Sequence, residues 1–292
     1  MEDNQRATLW AVSDLHVSAP ANRPRLADIV PAHPGDWLIV AGDVAERTEV
    51  VIDTLRQLRE RFSEVIWVPG NHELFSTAHE THHGRAKYQH LVAHCRAIGV
   101  HTPEDEFPVF DGVTVAPLFT LYDYSFRPPG LTVREALDRA AANGIVMTDE
   151  TAIAPYADIP AWCWDRLTYS VRRLSRVMGP TILVNHWPLV QEPTHFMQWA
   201  DVALWTGTRH TRSWPQRFHA IAAVYGHLHM PGTINVEGVP HIEVSLGYPR
   251  QWQARRGDGG QPGAHAAAAQ PWPYPVLREG ECNRDWGRGE HA

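Results

Sequence analysis

Five times along this chain a short apolar run stops abruptly at a cluster of polar residues, and that recurrence constrains the fold more than any other feature. The plainest case is residues 65–73, where Val-Ile-Trp-Val gives way to Pro-Gly and then to Asn71, His72 and Glu73. An apolar, partly β-branched run of that length fits a strand covered on both faces. Gly70 lets the backbone turn where a side chain would clash. Asn71 and His72 then stand at a strand's carboxyl end, where open α/β sheets place their sites.

The other four runs end in the same manner. Residues 8–12 break into Ser13-Asp14-Leu15-His16, and residues 37–40 into Ala41-Gly42-Asp43. Residues 181–184 end at Asn185-His186-Trp187-Pro188, and residues 221–225 at Gly226-His227-Leu228-His229. Asp14 and His16 alternate, as do His227 and His229, so on an extended backbone both side chains of each pair point the same way. Two ligands of one ion need that arrangement.

Between the first runs, residues 25–30 read as a short helix closed by Pro31 and the His33-Pro34-Gly35 turn. Residues 47–62 carry Val50, Val51, Leu55, Leu58 and Phe62 at the spacing of an amphipathic crossover helix. Strand-to-tip units joined by helices make a parallel sheet of right-handed βαβ crossovers whose tips share one rim. Asp14, His16, Asp43, Asn71 and His72 therefore converge from separate stretches.

Residues 79–98 read as a helix with Tyr88, Leu91, Val92 and Cys95 on one face; His82, His83 and His90 lie in it at no ligand spacing and read as solvated. Asp111-Gly112 between two apolar runs signals a hairpin, where the sheet turns antiparallel. Residues 118–160 form a cap over the site or an ordinary packed insertion, with a helix at 132–142. A better helix covers 162–178 and is closed by Gly179-Pro180.

The connection at 190–218 is long and rich in Trp, His and Arg, and such a loop inside a compact domain tends to be functional. Arginine beside aromatics suits an anionic group attached to a flat ring, so His195, Arg209, His210 and Arg212 are candidate substrate contacts. A hairpin around Glu237-Gly238 closes the sheet. Residues 1–252 thus make one α/β domain, and the Gly-, Ala- and Pro-rich residues 253–292 read as a tail, poorly ordered or draped on the surface.

Composition narrows the partners. A net charge of −7 provides no global basic field for a nucleic-acid backbone. Three cysteines, odd in number and far apart, argue against a disulfide framework and suit a reducing compartment. The N-terminal residues lack a signal-peptide stretch and no run is long enough to span a bilayer, so a cytoplasmic protein without a membrane partner is expected.

Taken in order, the tips spell D-x-H (Asp14, His16), G-D (Gly42, Asp43), G-N-H-E (Gly70 to Glu73), a lone His186 and G-H-x-H (Gly226 to His229). The ordered set, spanning residues 14–229, closely resembles the calcineurin-like metallophosphoesterase superfamily. The resemblance implies a four-layer αββα sandwich of two mixed sheets with flanking helices. It also implies two metal ions, the first held by Asp14, His16, Asp43 and His229, the second by Asp43, Asn71, His186 and His227. Carboxylate, imidazole and amide oxygen suit Mn, Fe or Zn, and Asp43 is the natural bridging carboxylate. Two cations about 3.5–4 Å apart can hold a bridging hydroxide and neutralise a phosphate's oxygens.

His72, beside a ligand without being one, is then the acid that protonates the leaving alkoxide and, with Asn71, orients the phosphate; such catalysis contributes about 10²–10⁴-fold. Glu73 is open between packing, support of a ligand and solvation. The aromatic and arginine-bearing insertions favour an enclosed pocket for a small-molecule phosphate ester, hence a phosphomonoesterase acting on a nucleotide or sugar phosphate. The alternatives are a phosphodiesterase on a cyclic nucleotide or short nucleic acid, and a metal-free scaffold of the same fold.

Overall fold

The apolar runs are continuous because each strand buries both of its faces, and the two parities go to different cores. Leu38, Val40, Val65 and Trp67 face outward to a cluster shared with helical Val51, Leu55, Leu58 and Leu91. Ile39, Ala41, Ile66 and Val68 face inward, against Ile182, Val184, Ala222, Val224, Ile242 and Val244 of a second sheet. Two sheets packed face to face with helices outside give four layers, αββα, as expected.

These positions come from a computed structural model that describes residues 6–78, 80–153, 158–255 and 270–279. In chain order the first half runs β1 (Thr8–Val12), β2 (Trp37–Val40), α1 (Thr48–Arg59), β3 (Glu64–Trp67), α2 (Gly84–Ala97), β4 (Val100–His101), β5 (Val109–Phe110) and β6 (Val113–Pro117). Then come α3 (Val133–Ala142), α4 (Asp149–Ala152), α5 (Ile159–Leu174), β7 (Thr181–Val184), α6 (Trp214–Arg217), β8 (Ala220–Tyr225), β9 (Gly232–Val236), β10 (Val239–Glu243), α7 (Pro249–Arg255) and β11 (Tyr274–Arg278).

The first sheet has the order β11-β1-β2-β3-β4 and the second β5-β6-β7-β8-β10-β9. Strands β1 to β4 are mutually parallel, and the register sets Val12, Val40 and Trp67 level with one another. In the second sheet β6, β7, β8 and β10 are parallel. A bridge between Ser13 and Ser245 ties the two rims together. The carboxyl ends of β1, β2 and β3 therefore face those of β7 and β8 across one seam.

Several expectations shift. The 25–30 helix is a 3-10 turn at Arg23–Asp28. The second crossover helix starts at Gly84, five residues late, and His79 lies outside the described residues. The Asp111-Gly112 hairpin forms, with φ of 45° and 76°, but its antiparallel pairing stops at edge strand β5 while β6 returns to parallel register. Within 118–160, α3 is opened by a reciprocal capping box between Thr132 and Glu135. Residues 154–157 lie outside the described set.

The tail expectation needs the largest correction. Gln253 to Arg255 complete α7, and β11 pairs antiparallel with β1, burying Tyr274, Val276 and Leu277 in the core between the sheets. Averaging over the surrounding glycines and alanines hid a five-residue strand that is apolar up to its last residue, Arg278. Its Pro275 is tolerated because β11 is an edge. Residues 256–269 and 280–292 lie outside the described residues.

Candidate metal centre

At the seam the strand tips curl. Asp14, His16, Asp43, His227 and His229 all have left-handed backbones, with φ of 52°, 40°, 55°, 71° and 56°. The D-x-H and H-x-H pairs are thus not extended, as alternation suggested; each side chain reaches the seam from a curled turn. Such conformations cost a non-glycine residue roughly 1–3 kcal/mol and persist only where the surroundings over-determine them.

Here they are over-determined. Asp14 N donates to Gly42 O (2.9 Å) and His16 N to Asp43 O (3.0 Å). His72 N donates to Asp43 Oδ1 (2.9 Å) and His227 N to Asp14 Oδ2 (3.0 Å). Glu73 is fully buried and accepts from Asp43 N (2.9 Å), Val44 N (2.7 Å) and Gly70 N (2.8 Å), stapling the second tip to the third. That contact decides the role left open for Glu73. Gly70 is required by closeness rather than by φ, since a Cβ there would lie 2.1 Å from Asp43 Oδ1. At Gly226 a Cβ would lie 2.0 Å from Ser13 Oγ.

The side chains converge into two groups that share Asp43: Asp14, His16, Asp43 and His229, and Asp43, His186 and His227. Asn71 joins the second, its Oδ1 3.2 Å from His186 Nε2 and 3.1 Å from His227 Nδ1. Carbonyl partners fix the histidine tautomers. His186 Nδ1 donates to Ala41 O (2.8 Å), and His227 Nε2 to Trp205 O (3.1 Å). His229 Nδ1 donates to Gln251 Oε1 (2.8 Å), an oxygen identified by the Tyr248 N–H that it also accepts.

In neutral rings the nitrogens left over are lone pairs, and they face other acceptors. His186 Nε2 and His227 Nδ1 are 3.2 Å apart, with Asn71 Oδ1 between them and Asp43 Oδ2 3.5 Å from His186. His229 Nε2 lies 2.9 Å from Asp14 Oδ1 and 3.1 Å from His16 Nε2. Acceptors cannot satisfy one another. Each group needs a positive charge at its centre, and this donor set fits two transition-metal cations.

Titration divides the four rings: for His229 burial pulls the pKa down, but Asp14 outweighs it and holds the ring above its ordinary value. Burial drives His16 to about 4 and His227 to about 3, leaving neutral rings, the form that ligates. For His186 burial also pulls down, but Asp43 overrides it and the ring stands at about 10. A proton held there is what a bound cation displaces.

His72 stands beside the groups. Its Nδ1 meets Glu46 Oε1 at 2.9 Å, and its Nε2 faces the seam, 3.9 Å from Asp43 Oδ2. Burial lowers its pKa, yet the Asp43 charge and the Glu46 hydrogen bond outweigh that and lift it to about 9. Glu46 is held at about 2, first by His72 and against burial, with Ser18 Oγ donating to its other oxygen (2.6 Å). Lys87, the only lysine in the sequence, is fully buried beneath this pair and donates to Glu46 O (2.6 Å) and Phe75 O (2.7 Å). Above the first group, the Tyr248 ring stacks on His16 at 4.3 Å, with its hydroxyl 3.4 Å from His72 Nε2.

A model of the calcineurin-like phosphoesterase family matches residues 7–231. The chain belongs to this family. It is 45% identical over 260 residues to the [acyl-carrier-protein] phosphodiesterase PptH of Mycobacterium tuberculosis, covering 85% of this chain and 80% of that protein. The crystal structure of phosphopantetheinyl hydrolase (PptH) from the same organism matches with a TM-score of 0.84, over 86% of this chain and 93% of that one. As a calcineurin-like phosphoesterase the protein is a metal-dependent phosphoric ester hydrolase, and the two side-chain groups are where the dinuclear centre of such a fold would sit.

The four candidate substrate contacts of the 190–218 connection have these surroundings. Arg212 is paired with Glu192 and, at 3.0 Å, with Glu237. Arg209 donates to Ser125 Oγ and Arg127 O. His210 packs on Trp164 and lies 3.5 Å from Asp123, while exposed His195 sits in a 3-10 turn. None of the four belongs to the groups that could hold a metal ion among the described residues. The 190–218 connection reaches the centre instead through the Trp205 carbonyl. Glu46, Tyr248, Gln251 and Asp149 are the site residues missed by sequence reasoning. Only Glu46 had a signal, lying three residues after Asp43 on the same tip.

Proposed function

We propose that the protein is a phosphodiesterase that hydrolyses the bond between a carrier protein's serine and its phosphopantetheine arm. The observation that carries this is the 45% identity, over most of both chains, to a relative named for acting on an acyl carrier protein. The preference for a monoesterase on a nucleotide or sugar phosphate gives way to that reading. No helix among the described residues is long and apolar enough to cross a membrane.

Two bound cations would supply an activated water and neutralise the phosphate's oxygens. Asp14, His16, Asp43 and His229 would hold one, and Asp43, Asn71, His186 and His227 the other. The chain's own task is the leaving group. As water's oxygen bonds to phosphorus and the serine P–O bond breaks, the serine oxygen needs a proton. His72 Nε2, protonated and braced through Nδ1 by Glu46, stands 3.9 Å from Asp43 Oδ2 and would donate that proton. The products are a free serine hydroxyl and phosphopantetheine.

The test is to incubate purified protein with holo-acyl carrier protein and Mn²⁺ and follow the carrier's intact mass. Loss of the phosphopantetheine mass, blocked by chelator, is expected. Turnover of an aryl monophosphate but of neither the carrier protein nor a bis-aryl phosphate would return the assignment to a monoesterase.

A further inference from the structure

Asn71 can serve a cation only if its amide oxygen, not its NH₂, faces His186 and His227, and nothing on its own strand tip decides between the two. The deciding group comes from the inserted segment. Asp149, at the start of α4 and 2% exposed, accepts from Asn71 Nδ2 at 2.9 Å across 78 residues of sequence. We infer that Asp149 is a positioning residue that builds the second ion's site by dictating which way the Asn71 amide faces. The inference rests on the two-ion reading above.

Without an acceptor at Asp149 the opposite orientation is open to the metal-free protein. The flipped NH₂ would donate to Nδ1 of the neutral His227, a lone pair 3.1 Å from the amide, and satisfy it. That hydrogen bond would then turn the amide oxygen away from the cation's place. With a carboxylate behind it, that flip sets oxygen against oxygen at 2.9 Å.

The neighbouring residue acts on the same site by another route. Glu150 accepts from Trp205 Nε1 (2.5 Å), and the carbonyl of Trp205 fixes the tautomer of His227. One turn of the 118–160 segment therefore braces two donors of the second group. This makes the segment part of the centre's construction rather than a cover laid over it.

The experiment is a calorimetric Mn²⁺ titration of the full chain, paired with the EPR signal of a coupled dimanganese pair. Wild type should bind two ions. Asp149→Leu, which keeps the branched shape but removes the acceptor, should bind the first ion unchanged and the second about 10–100-fold more weakly, with loss of the coupled signal. Asp149→Asn still offers an oxygen to Asn71 Nδ2 and should restore most of the second site. Circular dichroism checks that each variant is folded, and should Asp149→Leu not fold, Asp149→Ala takes its place. A second ion bound with wild-type affinity by the acceptor-less variant overturns the inference, as does an Asn variant as defective as the Leu one. If wild type itself binds fewer than two ions, it is the two-ion reading that fails.

Discussion

At the scale of single residues the centre divides its labour between groups that would touch a cation and groups that aim them. Ala41 O, Trp205 O and Gln251 Oε1 each take one histidine N–H, and Asp149 takes the Asn71 amide, so the opposite atoms converge. His72 has neither duty: its hydrogen bond to Glu46 makes it an acid beside the centre. His72→Ala should therefore lower kcat by about 10²–10⁴ while elemental analysis still finds both ions. Loss of metal along with activity would instead make it a ligand. The tip residues themselves were legible in the sequence, because each motif is a local stretch. Asp149 and Gln251 were not, since their importance arises from packing against residues far away in the chain.

Elements show the same boundary between local and distant information. Strands β1 to β3 and the crossover helix α1 could be read from periodicity alone, whereas the helix expected at 25–30 is a 3-10 turn. That β7 and β8 belong to a second sheet could not, because their apolar runs look the same whichever sheet they join. The short strand β11 was hidden by the composition around it. Between elements, Glu104 accepts from Tyr88 of α2 (2.7 Å) and pairs with Arg166 of α5 (2.7 Å), which also lies over the Phe119 ring. Burial raises the Glu104 pKa, but Arg166 and its hydrogen-bond donors outweigh that and hold it below the ordinary 4.5. A folded-state pKa depressed in this way gives stability that is present above about 4.5 and lost as pH falls through the folded value. Glu104→Gln should cost about 1.5–3 kcal/mol at neutral pH, with the deficit shrinking in acid; urea melts at pH 7 and pH 3.5 measure it. An equal deficit at both would mean the charge is not what Glu104 contributes.

Across the whole molecule, the centre is the place where the two sheets are joined by side chains. Asp14, His16, Asp43 and Asn71 come from the first sheet's tips, and His186, His227 and His229 from the second's. Cations bound there would cross-link the halves, and ligands that bind only the folded state stabilise it by mass action. At a free concentration of 100 times Kd the gain is about 2.7 kcal/mol per site. Stripping metal with a chelator should accordingly lower Tm, and Mn²⁺ should restore it in a concentration-dependent way, as a thermal melt will show. A Tm indifferent to both would argue for the metal-free scaffold.

Lys87 also gives the molecule a reporter of its own opening. Its amine is the chain's single side-chain amine, and it is sealed under α2 by the carbonyls of Glu46 and Phe75 and by Glu80 at 3.4 Å. An amine-acylating reagent therefore meets no lysine in the folded protein and acquires one only when the floor beneath His72 lifts. The rate at which a single acyl tag appears at that position, read by peptide mass mapping, is then a clock for local unfolding of the acid's support, with no engineered probe required.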